Sequence, residues 1–340
     1  MPTYTGTADG ETITGSADFD IINALDGNDI LDGYDGDDLL DGGGGADTMY
    51  GGGGADRYVI DNSGDVVHEE DSSGRDEVFS SVSYALGWNL EVLVLTGTDA
   101  INGKGHRFAE SIWGNSAANV LDGGKGADYL EGGSGHDTYI VSEAEDVVVE
   151  RHNGGHDTVQ AGSDWTLGAY IEDLTILAGG LINGTGNSKS NKIIGSQGYN
   201  ILDGLGGHDR IFGKGGDDTL YGGAGNDYLS GGNGKDSFVF NAPLDPGSNV
   251  DRIVDFDVAA GEHIVLDRSV FKRLGDSSDL GPGAFRTGIA AQDPGDRIIY
   301  DEATGNIYYD ADGTGDVAAI LFARVDPETI LTNMEFQTIA

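Results

Sequence analysis

Residues 42–59 read Gly42-Gly43-Gly44-Gly45-Ala46-Asp47-Thr48-Met49-Tyr50 and then, without a break, Gly51-Gly52-Gly53-Gly54-Ala55-Asp56-Arg57-Tyr58-Val59. Both halves follow one pattern, G-G-x-G-x-D-x-apolar-x. A six-residue turn ending in aspartate alternates with a three-residue strand whose central side chain alone is aimed inward. The pattern returns from Gly123, Gly132, Gly222 and Gly231, with weaker copies from Gly6. Counting nines from Gly6 lands on all of them, so residues 6–239 divide into 26 nonapeptides without a slip.

A short fixed period predicts a solenoid, because one unit cannot bury its apolar face alone and stacking must do it. The expected fold class is all-β: a parallel β-roll, or β-solenoid, of GGxGxDxUx repeats with a C-terminal β-rich capping region. Two nonapeptides make one coil, so equivalent loops stand eighteen residues apart. The expected blocks are a first β-roll block at 1–59, a second at 114–140 and a third at 186–239. Glycine-poor coils fill 60–113 and 141–185, and 240–340 forms the cap and secretion-signal region.

The glycine-poor stretches keep the lattice in a second way. Tyr58, Asp76 and Leu86-Gly87 reappear 81 positions later as Tyr139, Asp157 and Leu167-Gly168, and 81 is nine nines. Their register is imperfect. Val67, Val94 and Ile112 fall on the apolar position, but so do Asp76 and Gly103, with Val78 and Ile101 displaced by two. Runs such as Asp76–Val82 and Glu91–Leu95 read as strands, with bulges or wider loops between them.

The loop half of the repeat is suited to a hard cation. Glycine permits left-handed backbone and close approach, so carbonyl oxygens converge, and aspartate adds a carboxylate. All-oxygen ligands favour Ca²⁺ over transition metals. The expected metal residues are Asp20, Asp29, Asp38, Asp47 and Asp56 with Gly27, Gly36, Gly42, Gly45, Gly51 and Gly54. In the second block they are Asp128 and Asp137 with Gly126 and Gly135. In the third they are Asp209, Asp218, Asp227 and Asp236 with Gly207, Gly216, Gly225 and Gly234. Stacked carboxylates repel across a β spacing of ~4.8 Å unless an ion sits between them. The pairs Asp20/Asp38, Asp29/Asp47, Asp38/Asp56, Asp209/Asp227 and Asp218/Asp236 predict at least five calcium ions. Asn119, Asn191 and Asn200 replace the aspartate and Glu11 stands there in the first repeat, so sites in those loops are expected to be weaker or absent.

These tandem nonapeptides resemble the RTX, or haemolysin-type, calcium-binding repeats. The resemblance implies a parallel β-roll with Ca²⁺ between loops and export by the type I secretion apparatus, the unfolded chain leaving a calcium-poor cytosol and folding outside. The opening Met1-Pro2-Thr3-Tyr4 has neither a basic start nor an apolar run, so an N-terminal export signal is not expected. The expected location is secreted and extracellular.

Composition narrows the partners. The 59 acidic residues against 18 Lys plus Arg give a formal net charge of −41, which argues against nucleic acid and anionic membrane surfaces. No apolar run is long enough for stable membrane insertion. Without cysteine there are no disulfides or thiolate metal sites, and metal-free repeats with one inward side chain per strand are expected to stay disordered.

Catalytic patterns are missing. His68-Glu69-Glu70 lacks the second histidine of H-E-x-x-H, no G-x-S-x-G occurs, and no glycine loop is followed by the P-loop Lys-Ser/Thr. His136, His156 and His208 fall at the variable fifth repeat position, where solvent exposure is expected. Asp310-Ala311-Asp312-Gly313 reads as a plain turn. Trp88, Trp113, Trp165, Tyr84 and Tyr170 are expected in the core; exposed on one face, they would stack on sugars and make an extracellular polysaccharide the candidate partner. After Val239 the phenylalanines Phe240, Phe256, Phe271, Phe285 and Phe322 mark the cap, and 331–340 reads equally as a last strand or a secretion signal. The expected function is a non-enzymatic, calcium-dependent extracellular binding, adhesion or matrix protein. The alternatives are the calcium-binding and secretion module of a larger secreted peptidase, lipase or polysaccharide-modifying enzyme, or a membrane-active protein of the toxin type.

Overall fold

The computed structural model describes residues 2–69, 74–177 and 179–340. Glu70, the last residue of the His-Glu-Glu run, lies outside the described residues. Apart from two single 3₁₀ turns at Pro282–Ala284 and Asn333–Glu335, the described secondary structure is β. Two compact units form, one from Met1–Gln160 with Gly168–Ile171 and one from Ala161–Leu167 with Glu172–Ala340. Among the described residues no helix is long and apolar enough to cross a membrane.

In the first unit, three-residue strands stack in parallel with an eighteen-residue step: Thr3↔Ile21, Ile21↔Leu39 and Leu39↔Arg57 along one face. On another face the step is the same, Thr12↔Ile30, Ile30↔Thr48 and Thr48↔Val66. The strand is short because only its central residue turns inward, as in Leu39–Asp41 where Leu40 alone is buried. These central side chains form a file through the coil interior: Ile22, Leu40, Tyr58, Val78, Leu93, Ile112 and Leu130 are each fully buried. Each gains little alone, and the file gains by continuity. This is a parallel β-roll.

The glycine-poor stretch continues the stack with unequal coils. Arg57 pairs with Glu77, Glu77 with Val92 and Val92 with Ser111, steps of 20, 15 and 19 residues. They total 54, three coils of eighteen, which is why the lattice is intact on both sides. The first step is two residues longer than a regular coil, so Val78 and not Asp76 takes the inward strand position. The inward residue of the next coil is Leu93, with Val94 half-buried, one position from where the nonapeptide count puts it.

The second unit repeats this construction and then closes it. Its parallel sheet runs Trp165–Thr166, Gly184–Thr185, Ile201–Asp203, Thr219–Tyr221, Ser237–Phe240, His263–Asp267 and Phe336–Ile339. The last strand lies beside His263–Asp267 through Ile264↔Phe336, so 336–339 does form a strand. A solenoid end exposes unpaired edge and core. Here Asn306–Tyr309 reverses the strand direction by pairing antiparallel with Ile298–Asp301 and Ile320–Arg324. Phe322 fills the end of the roll, its ring 5.1 Å from Phe240 and 4.9 Å from Phe271 in edge-to-face contact.

Candidate metal centre in the aspartate loops

Each loop aspartate divides its carboxylate between two tasks. One oxygen accepts a hydrogen bond from the backbone N–H eighteen residues earlier: Asp20→Asp38, Asp29→Asp47 and Asp38→Asp56 at 2.7 Å, and Asp209→Asp227 and Asp218→Asp236 at 2.8 Å. All five expected pairs are therefore neighbours. The other oxygen, Oδ2 of Asp29, Asp38, Asp47, Asp56, Asp128, Asp137, Asp209, Asp218, Asp227 and Asp236, is buried and accepts no hydrogen bond. Buried acceptors without partners are rare in native proteins because the desolvation is uncompensated. Ten of them on one repeating position call for a cation.

Asp20 differs. Its Oδ2 accepts from Ser16 N–H and Oγ in its own loop, and Oδ1 has no partner because Pro2, eighteen residues earlier, carries no N–H. Asp128 and Asp137 are not stacked on each other; they receive the N–H groups of Glu110 at 2.9 Å and Asn119 at 2.8 Å.

The glycines bring the turns close enough for this. Gly45 has φ +149°, and a Cβ there would fall onto the Gly27 carbonyl oxygen; Gly225 has φ +150° and would fall onto that of Gly207. Gly27, Gly36, Gly54, Gly126, Gly135, Gly207, Gly216 and Gly234 share the left-handed backbone. Gly42 and Gly51, at the first loop position, present their bare Cα to Oδ2 of Asp47 and Asp56. The second loop position tolerates other residues at a strain: Leu25, Tyr34, Leu205 and Lys214 occupy it with φ between +64° and +76°.

Charge without counter-charge raises the carboxyl pKa values. Burial, with adjacent carboxylates adding to it, pushes Asp38, Asp209 and Asp218 up to about 7, Asp137 to about 6 and Asp128, beside Glu110, to about 8. Asp47, Asp227 and Asp236 are raised as well, burial again first. Acidic loops held this close are costly as anions unless something positive enters. A hard divalent ion fits the donor set, since every candidate ligand atom is an oxygen.

The asparagine loops manage without one. Asn119 Oδ1 accepts from Asn115 N–H at 2.9 Å, and its amide donates to the Ile101 carbonyl at 2.5 Å. Asn200 does the same with Ser196 and Ile182. An amide supplies a donor where aspartate would set an anion against a carbonyl.

Sequence reading missed several acids in these loops. Glu110 occupies an aspartate position, with Oε2 buried and without a hydrogen-bond partner. Glu69 and Asp76 approach Asp56, and Glu150 and Asp157 approach Asp137. The 81-residue echo, which carries Glu69 onto Glu150, was the available signal. His136, His156 and His208 are exposed, and His136 and His208 accept backbone N–H bonds of 2.9 Å through Nδ1. Asp310 Oδ1 caps a turn by accepting from Asp312 and Gly313. The aromatic residues depart from the core expectation: Trp88 is 53% exposed and Tyr170 43%, and Trp113, Trp165 and Tyr84 are only half-buried. The interior file is one side chain wide and is filled by aliphatic residues with Tyr58, Tyr139 and Phe238 among them, and these five rings stand outside it. Trp88 stacks under Arg107, 4.8 Å from its ring centroid, beside the exposed Phe108.

Comparison with known families places this geometry. The family described as RTX calcium-binding nonapeptide repeat (4 copies) matches residues 5–40, 26–58, 105–139, 185–220 and 203–238. A search of curated proteins finds no match. The matched segments coincide with the loops whose aspartates carry the unpartnered oxygens.

Proposed function

We propose that this chain, an RTX calcium-binding repeat protein, is exported unfolded by a type I route and folds on calcium outside the cell, where it serves as a binding, adhesion or matrix protein without chemistry of its own. The observation that carries the reading is the set of buried Oδ2 atoms without partners, one per well-formed loop. Loop aspartates and the glycine turns between them are the ligand positions: Asp29, Asp38, Asp47 and Asp56 in the first block, Asp128 and Asp137 in the second, and Asp209, Asp218, Asp227 and Asp236 in the third. Five or more ions are expected. Calcium supplies the positive charge that the stacked carboxylates lack, and the chain's own part is to hold one oxygen of each carboxylate on the preceding coil so that the other stays aimed into the loop.

Five ions would move the formal charge from −41 to −31, so the loaded protein stays strongly acidic. An acidic surface favours a neutral partner over an anionic one. The exposed Trp88 and Phe108 make a neutral extracellular polysaccharide the candidate, because sugar rings stack on aromatic faces. Calorimetric calcium titration followed in parallel by circular dichroism tests the main reading. Uptake of at least five ions together with a rise in β signal is expected; unchanged β content in excess chelator overturns it.

A further inference from the structure

Two clusters of carboxylates stand where repeat blocks give way to glycine-poor coils. Asp56, Glu69 and Asp76 offer one oxygen each within 4.8 Å of one another, and so do Asp137, Glu150 and Asp157. The second triad is the first displaced by 81 residues. Neither glutamate belongs to the nonapeptide pattern: Glu69 follows the strand Val66–His68 and Glu150 follows Val147–Val149.

The next coil is long in both places. Asp76 Oδ1 receives the Asp56 N–H and Asp157 Oδ1 that of Asp137, each at 2.8 Å and each across twenty residues instead of eighteen. Glu69 and Glu150 are buried beside these lengthened coils. Inside, Asp56 is fully buried and Asp137 is 1% exposed, and Oδ2 of each has no hydrogen-bond partner. Those oxygens are aimed at the glutamate: the bare Cα of Gly51 faces Asp56 Oδ2, Glu69 Oε1 and the Tyr58 hydroxyl together. At Gly132 the Cα faces Asp137 Oδ2 and the Tyr139 hydroxyl. Tyr58 donates its hydroxyl to Glu69, and Tyr139 to Glu150. A tyrosine at the inward strand position thus orients a glutamate that is 91% buried.

We infer that Asp56–Glu69–Asp76 and Asp137–Glu150–Asp157 are two further divalent-cation sites, taking Ca²⁺ or a similar hard ion, which join each repeat block to the glycine-poor coil after it. Three carboxylates per site exceed what one ion's charge requires, and the tyrosine hydroxyl bond offsets the surplus at the glutamate. Tyr58 and Tyr139 are positioning residues, each acting through its glutamate. The inference rests on the calcium reading of the repeat loops, because Asp56 and Asp137 belong to both.

The test is a count of ions. Wild type and the Glu69→Gln, Glu150→Gln and doubly substituted chains are dialysed against calcium, and bound metal is measured by elemental analysis. Glutamine keeps the volume and the acceptor for the tyrosine hydroxyl and removes only the charge. Each single change is expected to remove one ion per chain and the double change two, with β content in calcium retained. Glu145→Gln, at an exposed position, should bind the wild-type number. An unchanged count and unchanged affinity in the double variant overturns the inference. Should the double variant fail to fold, Glu69→Asp decides, since it keeps the charge and withdraws the carboxylate: an unaltered calcium affinity there also overturns it. Asp38→Asn separates the two readings. If it loses calcium while the glutamine variants do not, only the junction sites fail; if the wild type takes up no calcium, both fail.

Discussion

Asp38 and Asp56, eighteen residues apart, are bonded through one oxygen only: the Asp38 N–H donates to Asp56 Oδ1 at 2.7 Å, and Asp56 Oδ2 is buried without a hydrogen-bond partner. Coil-to-coil adhesion at the loops therefore has a half supplied by a backbone hydrogen bond and a half that needs a cation. The two halves separate experimentally.

Asparagine at Asp38 can retain the acceptor for the Asp20 N–H and replaces the orphaned oxygen by a neutral amide donor. Asp38→Asn is expected to raise the calcium midpoint of folding by about tenfold, or ~1.4 kcal/mol, while leaving β content in chelator equal to or above that of the wild type. Circular dichroism over a calcium titration checks both effects. A lower midpoint would show that the Asp38 charge does not serve the ion.

Acid should partly replace calcium. In the metal-free fold, burial raises Asp38, Asp76, Asp209 and Asp218 to about 7 and Asp128 to about 8, all above the ordinary carboxylate value that the unfolded chain keeps. Between about pH 8 and 4 the folded form then binds more protons than the unfolded one, so its stability falls as pH rises and recovers as pH falls. Calcium-depleted protein is expected to gain β signal on acidification from pH 8 to about pH 5, stopping short of the pI near 4.1 where precipitation intervenes. A β signal that decreases over that range contradicts the assignment.

The nonapeptide lattice, the buried file of strand centres and the loop aspartates could all be read from spacing, because each repeat uses the same backbone and each residue type has one task in it. The glycine-poor coils could not. Their steps of 20, 15 and 19 residues cancel over three coils, so counting nines stays in phase at both ends and misplaces Leu93 and Val78 between them. Glu69 and Glu150 were hidden differently: they keep the eighteen-residue register but stand at the first loop position, where the pattern has glycine, while the two-residue expansion brings Asp76 and Asp157 under Asp56 and Asp137. Trp88 was misplaced because size and apolarity suggested the core, whereas a coil interior one side chain wide admits aliphatic residues and a few tyrosines.

Glycines of equal frequency carry unequal loads. At Gly45 a methyl group would meet the Gly27 carbonyl and the backbone is left-handed, so Gly45→Ala is expected to disrupt the first block and abolish its calcium-dependent folding. Gly97 is also left-handed, at φ +75°, but nothing lies within 4 Å of the added carbon. Gly97→Ala should cost only the left-handed penalty, about 1–2 kcal/mol. Thermal melts in saturating calcium distinguish the two, and equal losses would refute the close-approach argument.

Asn119 tests the converse substitution. Its amide donates to the Ile101 carbonyl and its Oδ1 accepts from Asn115, so the loop is satisfied without an ion. Aspartate there restores the repeat consensus and stacks on Asp137, whose Oδ1 already accepts the Asn119 N–H, and yet it sets a carboxylate oxygen against the Ile101 carbonyl, and the coil before it carries Ile101 where an aspartate would stand. Asn119→Asp is therefore expected to destabilise the calcium-loaded protein by about 1–3 kcal/mol, the cost of an unmet buried polar group, and to add no ion. Denaturant melts and a calcium count on the same sample measure the two consequences. A stabilised variant carrying one additional ion would mean that Asp137 on the following coil suffices to make a site with it and that the Ile101 carbonyl does not keep the ion out.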